Sequence, residues 1–341
     1  MPYTTINKST DYFNTKLYTG TGSTHNVTGV GFQPNWVWIK SRSDAYSHYL
    51  FDVVRGATKQ IQSNLTDPEA TSANQLTSFD SDGFTLGTDI VTNGSSKTFA
   101  SWNWLASNTT ASNTDGSITS TVSANTTAGF SIVSYTGTGS NATVGHGLSA
   151  VPKMIIVKNR DNVDNWTVYH GTQGGTKVQW LNLTNATATE SGWWNNTDPT
   201  SSVFYIGTQN GVNKSGDNLI AYCFAEKKGY SKFGSYTGNG NADGAFVYTG
   251  FKPAMVIIKK TSGVDNWTIY DNKRDGFNGD THALFPNLTD VQTTDVDIDL
   301  VSNGFKIVRV SDRVNQNGQT FIYMAFGQSL VGSNNVPCTA R

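Results

Sequence analysis

Tyr236-Thr237-Gly238-Asn239-Gly240 opens a stretch that the chain repeats, and this repetition decides the fold. Two further segments complete it: Pro253 with the apolar run Met255-Val256-Ile257-Ile258-Lys259, and then Asn266-Trp267-Thr268-Ile269-Tyr270-Asp271. The other two copies are Tyr135-Thr136-Gly137-Thr138-Gly139, Pro152 with Met154-Ile155-Ile156-Val157-Lys158 and Asn165-Trp166-Thr167-Val168-Tyr169-His170, and Tyr18-Thr19-Gly20-Thr21-Gly22, Pro34 with Trp36-Val37-Trp38-Ile39-Lys40 and His48-Tyr49-Leu50-Phe51-Asp52. Self-similarity of this kind fixes the architecture of a chain.

The spacing within the copies is constant. The separation is 14 residues in each copy: from Pro34 to His48, from Pro152 to Trp166 and from Pro253 to Trp267. A closing apolar segment also recurs, at Phe99-Ala100-Ser101-Trp102-Asn103-Trp104, Leu219-Ile220-Ala221-Tyr222-Cys223-Phe224 and Phe321-Ile322-Tyr323-Met324-Ala325-Phe326. Each copy spans about 90 residues, which exceeds the roughly 20–50 residues of a solenoid repeat and suits a small domain. The sequence therefore predicts three tandem domains or three lobes of one body.

The composition is that of a β protein. Only 14% of the residues are charged, 12% are aromatic, and glutamate occurs three times. Threonine, valine, isoleucine and aromatic residues favour strands, and the residues of helical surfaces are scarce. We predict an all-β fold of three tandem antiparallel β-sandwiches, of jelly-roll or concanavalin-like type, because each copy supplies several short strands with glycine turns.

The copies set the predicted domain boundaries. The first sandwich spans residues 1–106, the second 129–228, and the third 229–341 including a polar tail. Residues 107–128 form a polar, low-complexity linker in which a short segment resembles an edge strand.

Local patterns add detail to each sandwich. The run after Pro34 is apolar at four consecutive positions, which predicts a strand covered on both faces. Trp166 and Val168 alternate with polar neighbours, so we expect the tryptophan to lie in a core. Asp82-Gly83-Phe84 and Asn303-Gly304-Phe305 are hairpin signals between apolar runs.

Basic residues follow the apolar run in every copy. They predict solvated charges on a polar hairpin, with a basic patch for an acidic glycan as the alternative: Lys40, Arg42, Lys158, Arg160, Lys259 and Lys260. An aspartate and an arginine three residues apart, Asp52 with Arg55 and Asp271 with Arg274, predict a local ion pair in two of the copies.

Several classes of function are disfavoured. The net charge of −1 gives no reason to expect a nucleic acid or an anionic membrane as partner. No segment approaches the roughly 20 apolar residues that a membrane helix needs, so membrane insertion is not expected. The N-terminal residues contain neither the basic nor the apolar region of a secretory signal. Two cysteines do not indicate a disulfide framework.

The sequence offers no catalytic constellation and implies no cofactor. None of the five histidines is spaced to share a metal, and no nucleophile elbow is present. Scarce glutamate leaves no evident pair of glycosidase carboxylates. We therefore assign no catalytic residue and no metal site. Asp295, Asp297 and Asp299 are weak calcium candidates because alternate strand residues share a face, but such a row is more often a solvated face.

Trp193 and Trp194 have no counterpart in the other copies and precede two asparagines. An unmatched aromatic pair in a polar loop is a candidate for stacking against sugar rings. It is also a candidate for a subunit contact, or for plain packing.

The repeated segments resemble a family of modules in tail and fibre-type proteins of bacteriophages, especially marine ones. The signature includes Gly250-Phe251-Lys252-Pro253, Asn266 to Asp271, and Tyr323-Met324-Ala325-Phe326-Gly327, and the resemblance covers roughly residues 12–330. The second copy departs from it with Ser149-Ala150-Val151 before its proline and with His170 in place of aspartate.

The resemblance implies a non-enzymatic virion structural protein, made in the host cytoplasm and most consistent with a tail fibre or tail-associated adhesin that helps host attachment. It suggests a homo-oligomer, a trimer, with other virion proteins and a host surface glycan as partners. A capsid decoration protein is the first alternative, and a carbohydrate-binding module is the second.

Overall fold

A computed structural model describes residues 4–274 and 281–329. Within these ranges almost all regular structure is β. The first group of elements is a 3-10 turn at Ser9–Asp11, β1 (Phe13–Thr19), β2 (His25–Thr28), β3 (Trp36–Ser41), β4 (Tyr49–Asp52), β5 (Lys59–Gln62), β6 (Ala70–Thr71), β7 (Leu76–Asp80), β8 (Gly83–Leu86), α1 (Ile90–Asn93) and β9 (Thr98–Trp104).

The second group is β10 (Ala111–Asn113), β11 (Ser120–Asn125), β12 (Phe130–Thr136), β13 (Ala142–Gly145), β14 (Pro152–Asn159), β15 (Thr167–His170), β16 (Lys177–Trp180), β17 (Ala188–Thr189), α2 (Ser191–Trp194), β18 (Val203–Ile206), α3 (Asn210–Asn213) and β19 (Asn218–Ala225). The third is β20 (Ser231–Thr237), β21 (Phe246–Tyr248), β22 (Pro253–Lys260), β23 (Thr268–Asp271), β24 (Ile298–Val301), β25 (Gly304–Ile307), α4 (Asp312–Asn315) and β26 (Thr320–Gly327). We call these groups the first, second and third lobes.

Each lobe pairs an inner sheet with a smaller outer sheet. The inner sheets have the orders β1-β9-β3-β4-β5-β6, β10-β11-β12-β19-β14-β15-β16-β17 and β20-β26-β22-β23, and the outer sheets are β2-β8-β7, β13-β18 and β21-β25-β24. In every inner sheet the predicted closing strand lies between the first strand of the repeat and the proline-led strand. Pairing within these sheets is antiparallel, so the predicted all-β sandwich architecture is confirmed.

The proline-led strand shows why both of its faces are apolar. Trp36 and Trp38 point into a central cluster, while Val37 and Ile39 point into the core between the two sheets of the first lobe. All four side chains are fully buried. The predicted strand covered on both faces is therefore confirmed.

The central cluster joins the three lobes. The Trp36 ring stacks on Tyr222 of the second lobe with centroids 4.3 Å apart. Phe326 of the third lobe stacks on Phe13 at 5.1 Å and meets Phe224 edge-on at 5.9 Å. Every pair of lobes thus shares aromatic contacts. The predicted sandwiches are therefore arranged around one common core, which a strictly linear tandem array would not have.

The stretch 107–128, expected as a linker with an edge strand, extends the second lobe. Strand β11 pairs along its length with β12, and β10 forms the edge of the sheet. Ser117 and Ile118 also bond to Thr143 in the outer sheet.

The beginning and end of the described chain meet. The Ser9 hydroxyl donates to the carbonyl of Gln328 at 3.2 Å, and the Thr10 N–H donates to the Ser329 hydroxyl at 3.3 Å. The first and third lobes are therefore neighbours, and the three lobes form a closed ring.

Candidate functional site

A matched backbone hydrogen bond fastens each neighbouring pair of lobes. Each copy carries an Asn-Leu-Thr triplet, which begins at Asn64, Asn182 and Asn287. The donors lie five residues after the asparagine of this triplet, and the acceptors lie eight residues after the proline. The bonds run from Glu69 to Arg160 at 2.7 Å, from Thr187 to Thr261 at 2.9 Å, and from Gln292 to Arg42 at 3.2 Å. Equivalent contacts thus close the ring at all three junctions.

Side chains reinforce two of these junctions. Arg160 of the second lobe donates to both carboxylate oxygens of Glu69 in the first, at 3.0 and 3.2 Å. Arg42 of the first lobe donates to the side-chain oxygen of Gln292 in the third, at 2.8 Å. These predicted hairpin cations therefore act between lobes.

The lysines predicted to be solvated are instead buried: Lys40, Lys158, Lys259 and, at 4% exposure, Lys260. The Lys158 ammonium donates to the carbonyl of Thr66 in the first lobe at 3.1 Å. The Lys259 ammonium donates in the same way to Thr184 of the second lobe at 3.2 Å. The prediction of solvated charges was wrong for these lysines because carbonyl groups inside the fold accept hydrogen bonds from their ammonium groups, and for Lys158 and Lys259 the neighbouring lobe supplies one of these carbonyls.

Burial lowers the pKa of these ammonium groups. The pKa of Lys40 and of Lys158 falls to about 8, and that of Lys259 falls to about 7. Nearby aspartates oppose this effect only in part. Desolvation wins because the charged form is the one that loses hydration on burial.

We expect the stability of the protein to rise between pH 7 and pH 9.5. The pKa of Lys158 is lower in the folded chain than in the unfolded chain, so the unfolded chain binds more protons over this range. The stabilisation is fully present above the unfolded pKa and is lost as the pH falls through the folded one. The free energy of unfolding should gain roughly 2 kcal/mol from this residue, measured by urea denaturation.

The Lys158→Met variant tests this origin, because its side chain has a similar length and no charge. Its pH dependence should be flatter than that of the natural chain. Lys153→Met, at an exposed position of the same strand, is the matched control and should keep the natural dependence. An unchanged slope in Lys158→Met would contradict the assignment.

A buried ion pair lies at the junction of the first and second lobes. One Asp52 oxygen accepts the backbone N–H groups of Val54 and Arg55, and the other accepts the Arg55 guanidinium. Both charged side chains are fully buried. Tyr222 of the second lobe donates its hydroxyl to the same carboxylate at 2.8 Å. The predicted local pair is confirmed, and it also binds the next lobe.

The same geometry recurs at the junction of the third and first lobes. Asp271 accepts the Arg274 guanidinium at 2.6 Å and the indole N–H of Trp102 at 3.1 Å. Trp102 stands at the position in its closing strand that Tyr222 occupies in the second lobe. Each aspartate therefore receives a donor from the closing strand of a neighbouring lobe.

The third junction replaces all members of this arrangement. His170 and Gln173 occupy the places of the aspartate and arginine, and Met324 occupies the place of the donor in the closing strand. A methionine thioether cannot donate a hydrogen bond. The imidazole instead lies within 3.2 Å of the Tyr323 carbonyl and within 2.9 Å of the Thr172 hydroxyl. An aspartate here would be buried without either partner, so the substitutions fit one another.

We expect acidification to weaken the junction at His170. Burial lowers the pKa of His170 to about 4, although the Tyr323 carbonyl raises it in part. The unfolded chain therefore binds more protons between about pH 4 and pH 6.5. The free energy of unfolding should fall by roughly 2 kcal/mol from pH 6.5 to pH 4.5. Urea denaturation should show a smaller fall in His170→Gln and an unchanged fall in His25→Gln, a half-buried position.

Trp193 and Trp194, the predicted sugar-stacking pair, lie inside the second lobe. They are 7% and 1% exposed. Trp193 donates its indole N–H to Glu190 at 2.8 Å and meets the Trp180 ring edge-on, and Trp194 meets Tyr169 in the same way. Both belong to the short helix α2. Rings buried to this extent offer no face to a sugar, so the two tryptophans pack in the core of the second lobe.

Two of the three weak calcium candidates are paired with arginines of the protein. Asp297 is fully buried and accepts from Arg313 at 2.7 Å and from the Tyr270 hydroxyl at 2.6 Å. Asp295 pairs with Arg309 and with Arg313. The carboxylates of Asp295, Asp297 and Asp299 therefore do not form the predicted open row. Over residues 4–274 and 281–329, no cluster of three acidic, histidine or cysteine side chains could hold a metal ion.

Four of the buried charged groups are hydrogen-bonded to a neighbouring lobe: Asp52, Asp271, Lys158 and Lys259. Sequence reasoning found the aspartate–arginine spacing but missed its partners in other lobes. The sequence copies contain a sign of these partners. The closing strands that donate to the two aspartates carry Tyr222 and Trp102, and the equivalent position of the third closing strand carries Met324.

A family model described as a domain of unknown function, DUF7483, matches residues 8–329. No curated protein and no solved structure matches the chain. Among the helices of the described residues, none has the length and apolar character needed to cross a membrane.

Proposed function

We propose that this chain, which belongs to the family described as DUF7483, is a non-enzymatic structural protein of a bacteriophage particle. Its place is the tail, as a fibre or fibre-associated adhesin that contributes to attachment to the host surface. It folds in the host cytoplasm and ends in the virion, together with other virion proteins.

The observation that carries the proposal is the closed ring of three lobes. Three sandwiches share one aromatic core and are fastened by matched hydrogen bonds at every junction. Such a body resists deformation because parting any two lobes breaks buried contacts. The resemblance of its repeated segments to phage tail modules supports the same assignment.

The placement of reactive groups supports a role without chemistry. The buried carboxylates Asp52, Asp271 and Asp297 are each bonded to an arginine. The thiol of Cys223 is buried, and burial raises its pKa, which disfavours the reactive thiolate. These groups stabilise the fold and leave no free acid, base or nucleophile among themselves.

Fractionated virions test the proposal. Particles are purified and separated into heads and tails, and an antibody against the protein is applied to both fractions. We expect the protein in the tail fraction, and electron microscopy with the labelled antibody should place it at the distal end. Absence from purified particles would overturn the proposal.

A capsid decoration protein is the second candidate, because a ring of three similar lobes also suits a position of local threefold symmetry on a shell. Antibody signal confined to the head fraction would select this function and exclude the tail adhesin.

The proposed assembly is a homo-trimer. Closed cyclic symmetry is common among homo-oligomers. Light scattering coupled to size-exclusion chromatography should give about three times the 36.9 kDa mass of the single chain. A mass equal to that of one chain would reject the trimer and leave the internal ring of lobes as the complete unit.

A further inference from the structure

The outer sheet of the third lobe exposes two aromatic rings on one strand. Phe246 and Tyr248 on β21 are 48% and 58% exposed, while Val247 between them is 5% exposed and lies in the lobe core. Alternate residues of a strand share a face and are separated by roughly 6.6–6.8 Å. The two rings therefore stand side by side on the outer surface.

The other lobes do not have such a pair. The register places Asn26 and Thr28 at the equivalent positions of the first lobe, and Thr143 and Gly145 at those of the second. Two of the three sandwiches therefore form with small or polar residues at these positions. The aromatic pair is a property of the third lobe that folding does not require, and exposed apolar groups that a fold does not require often mark a binding site.

A glycine shapes the surface between the rings. Gly304 on β25 lies opposite Tyr248 in the register. A β-carbon at Gly304 would come within 3.0 Å of the Phe246 ring and within 2.1 Å of the Val247 carbonyl oxygen. The Phe246 ring thus lies close to the backbone of Gly304, where there is no side chain to displace it.

Polar groups border the rings. Lys306 lies opposite Phe246, and its ammonium donates to the Asp243 carboxylate at 2.6 Å. Asp299 lies opposite Lys306 on the next strand. Hydrogen-bond donors and acceptors of both charges are therefore present on the same sheet face as the rings.

A cleft continues this surface beyond Tyr248. Its volume is about 310 Å³, and its lining includes Glu226, Lys232 and Tyr248. Lys232 pairs with Glu226 at 3.3 Å, which positions both groups at the cleft. The volume is at the lower end of the range for clefts that hold small ligands.

The chemistry of this surface fits a glycan, because its two apolar rings are bordered by a lysine and by carboxylates. A sugar ring presents C–H groups that stack on the negative face of an aromatic ring. Its hydroxyls require neighbouring donors and acceptors, which Lys306, Asp243 and the cleft supply.

We propose that Phe246 and Tyr248, with the bordering polar groups and the cleft, form a polysaccharide-binding surface. This inference rests on the proposed role in host attachment, for which it supplies the ligand class and the residues. The third lobe is then the part of the ring that contacts the host surface.

Native electrophoresis in gels that contain a soluble polysaccharide tests the surface with the full chain. The probes are xylan, mannan, laminarin, galactan and alginate, each in a separate gel. At least one should retard the natural protein. The variant Phe246→Asn/Tyr248→Thr copies the residues of the first lobe, which the same type of strand tolerates. It should lose at least roughly tenfold in apparent affinity, because both stacking contacts are removed.

The matched control is Asn26→Ala/Thr28→Ala, which alters the equivalent strand of the first lobe and should bind as the natural protein does. Both variants should keep the natural urea midpoint, since the altered side chains are exposed. Retardation by none of the five probes, or equal retardation of the aromatic variant, would overturn the surface. So would a loss of self-association in that variant without any glycan binding, which would assign the rings to a contact between copies.

This test and the virion fractionation fail separately. Glycan binding that is lost in the aromatic variant, with the protein missing from particles, retains the surface and rejects the virion role. Tail location without glycan binding retains the virion role and rejects the surface.

Discussion

A fragment of residues 107–228, which contains the second lobe alone, is expected to lack a cooperative unfolding transition under conditions in which the full chain folds. One face of its inner sheet belongs to the central cluster: Phe130, Ile132, Met154, Ile156, Trp166, Val168, Leu181, Ile220, Tyr222 and Phe224. Burial of each such side chain is worth about 1.5–3 kcal/mol. A whole domain has a net stability of about 5–15 kcal/mol. Exposure of several of these residues therefore exceeds the margin.

The measurement is urea denaturation followed by near-ultraviolet circular dichroism, which reports fixed aromatic packing. A complementary pair of fragments, 1–106 and 107–341, serves as the control. The break between them falls beside an exposed segment at residues 108–112, so the central cluster can reassemble when they are co-expressed. A sharp transition of fragment 107–228 at the midpoint of the full chain would show that the lobe is an independent domain.

The Arg55→Gln variant is expected to lose about 3–5 kcal/mol of free energy of unfolding. Burial opposes the charge of Arg55, yet Asp52 and Glu69 outweigh this effect and raise its pKa, so the guanidinium keeps its charge in the folded chain. Removal of the guanidinium leaves the Asp52 carboxylate fully buried without a countercharge. The Tyr222 hydroxyl remains but carries no positive charge.

Two further variants identify the cause. Lys8→Gln breaks an ion pair whose side chains are 51% and 48% exposed, and it should change the stability by less than about 1 kcal/mol. Adding Asp52→His to Arg55→Gln copies the natural pair His170 and Gln173 and removes the stranded charge. The double variant should be more stable than Arg55→Gln alone. If instead the two changes add their losses, the unpaired carboxylate is not the cause.

Local patterns in the sequence were sufficient for the strands. The apolar run at Trp36 to Ile39 gave a strand covered on both faces, and the Asp82-Gly83 signal gave the hairpin of β7 and β8. Trp166 and Val168 lie in the central cluster, as their alternation predicted. Each of these features depends on side chains a few residues apart, so a short window of sequence contains the information.

The surroundings of the charged and aromatic residues could not be predicted from the sequence, because they depend on how the three lobes assemble. Local sequence predicts Lys158 as a solvated hairpin cation, whereas in the structure its ammonium donates to the Thr66 carbonyl of the first lobe. Local sequence predicts Trp193 and Trp194 as an exposed aromatic pair in a loop, whereas in the structure they lie on helix α2 and are buried in the second lobe. The exposed pair at Phe246 and Tyr248 was missed because it becomes unusual only when the register aligns it with Asn26 and Thr28. Such features depend on contacts that only the assembled chain creates.

The meeting of Ser9 with Gln328 and of Thr10 with Ser329 has a mechanical consequence. The chain thus enters and leaves the described fold at neighbouring points. A pulling force applied at these two points would act on the contact between the first and third lobes. A neighbouring polypeptide could also accept the whole ring as an insertion in one of its surface turns, with little change in the distance that the turn must span.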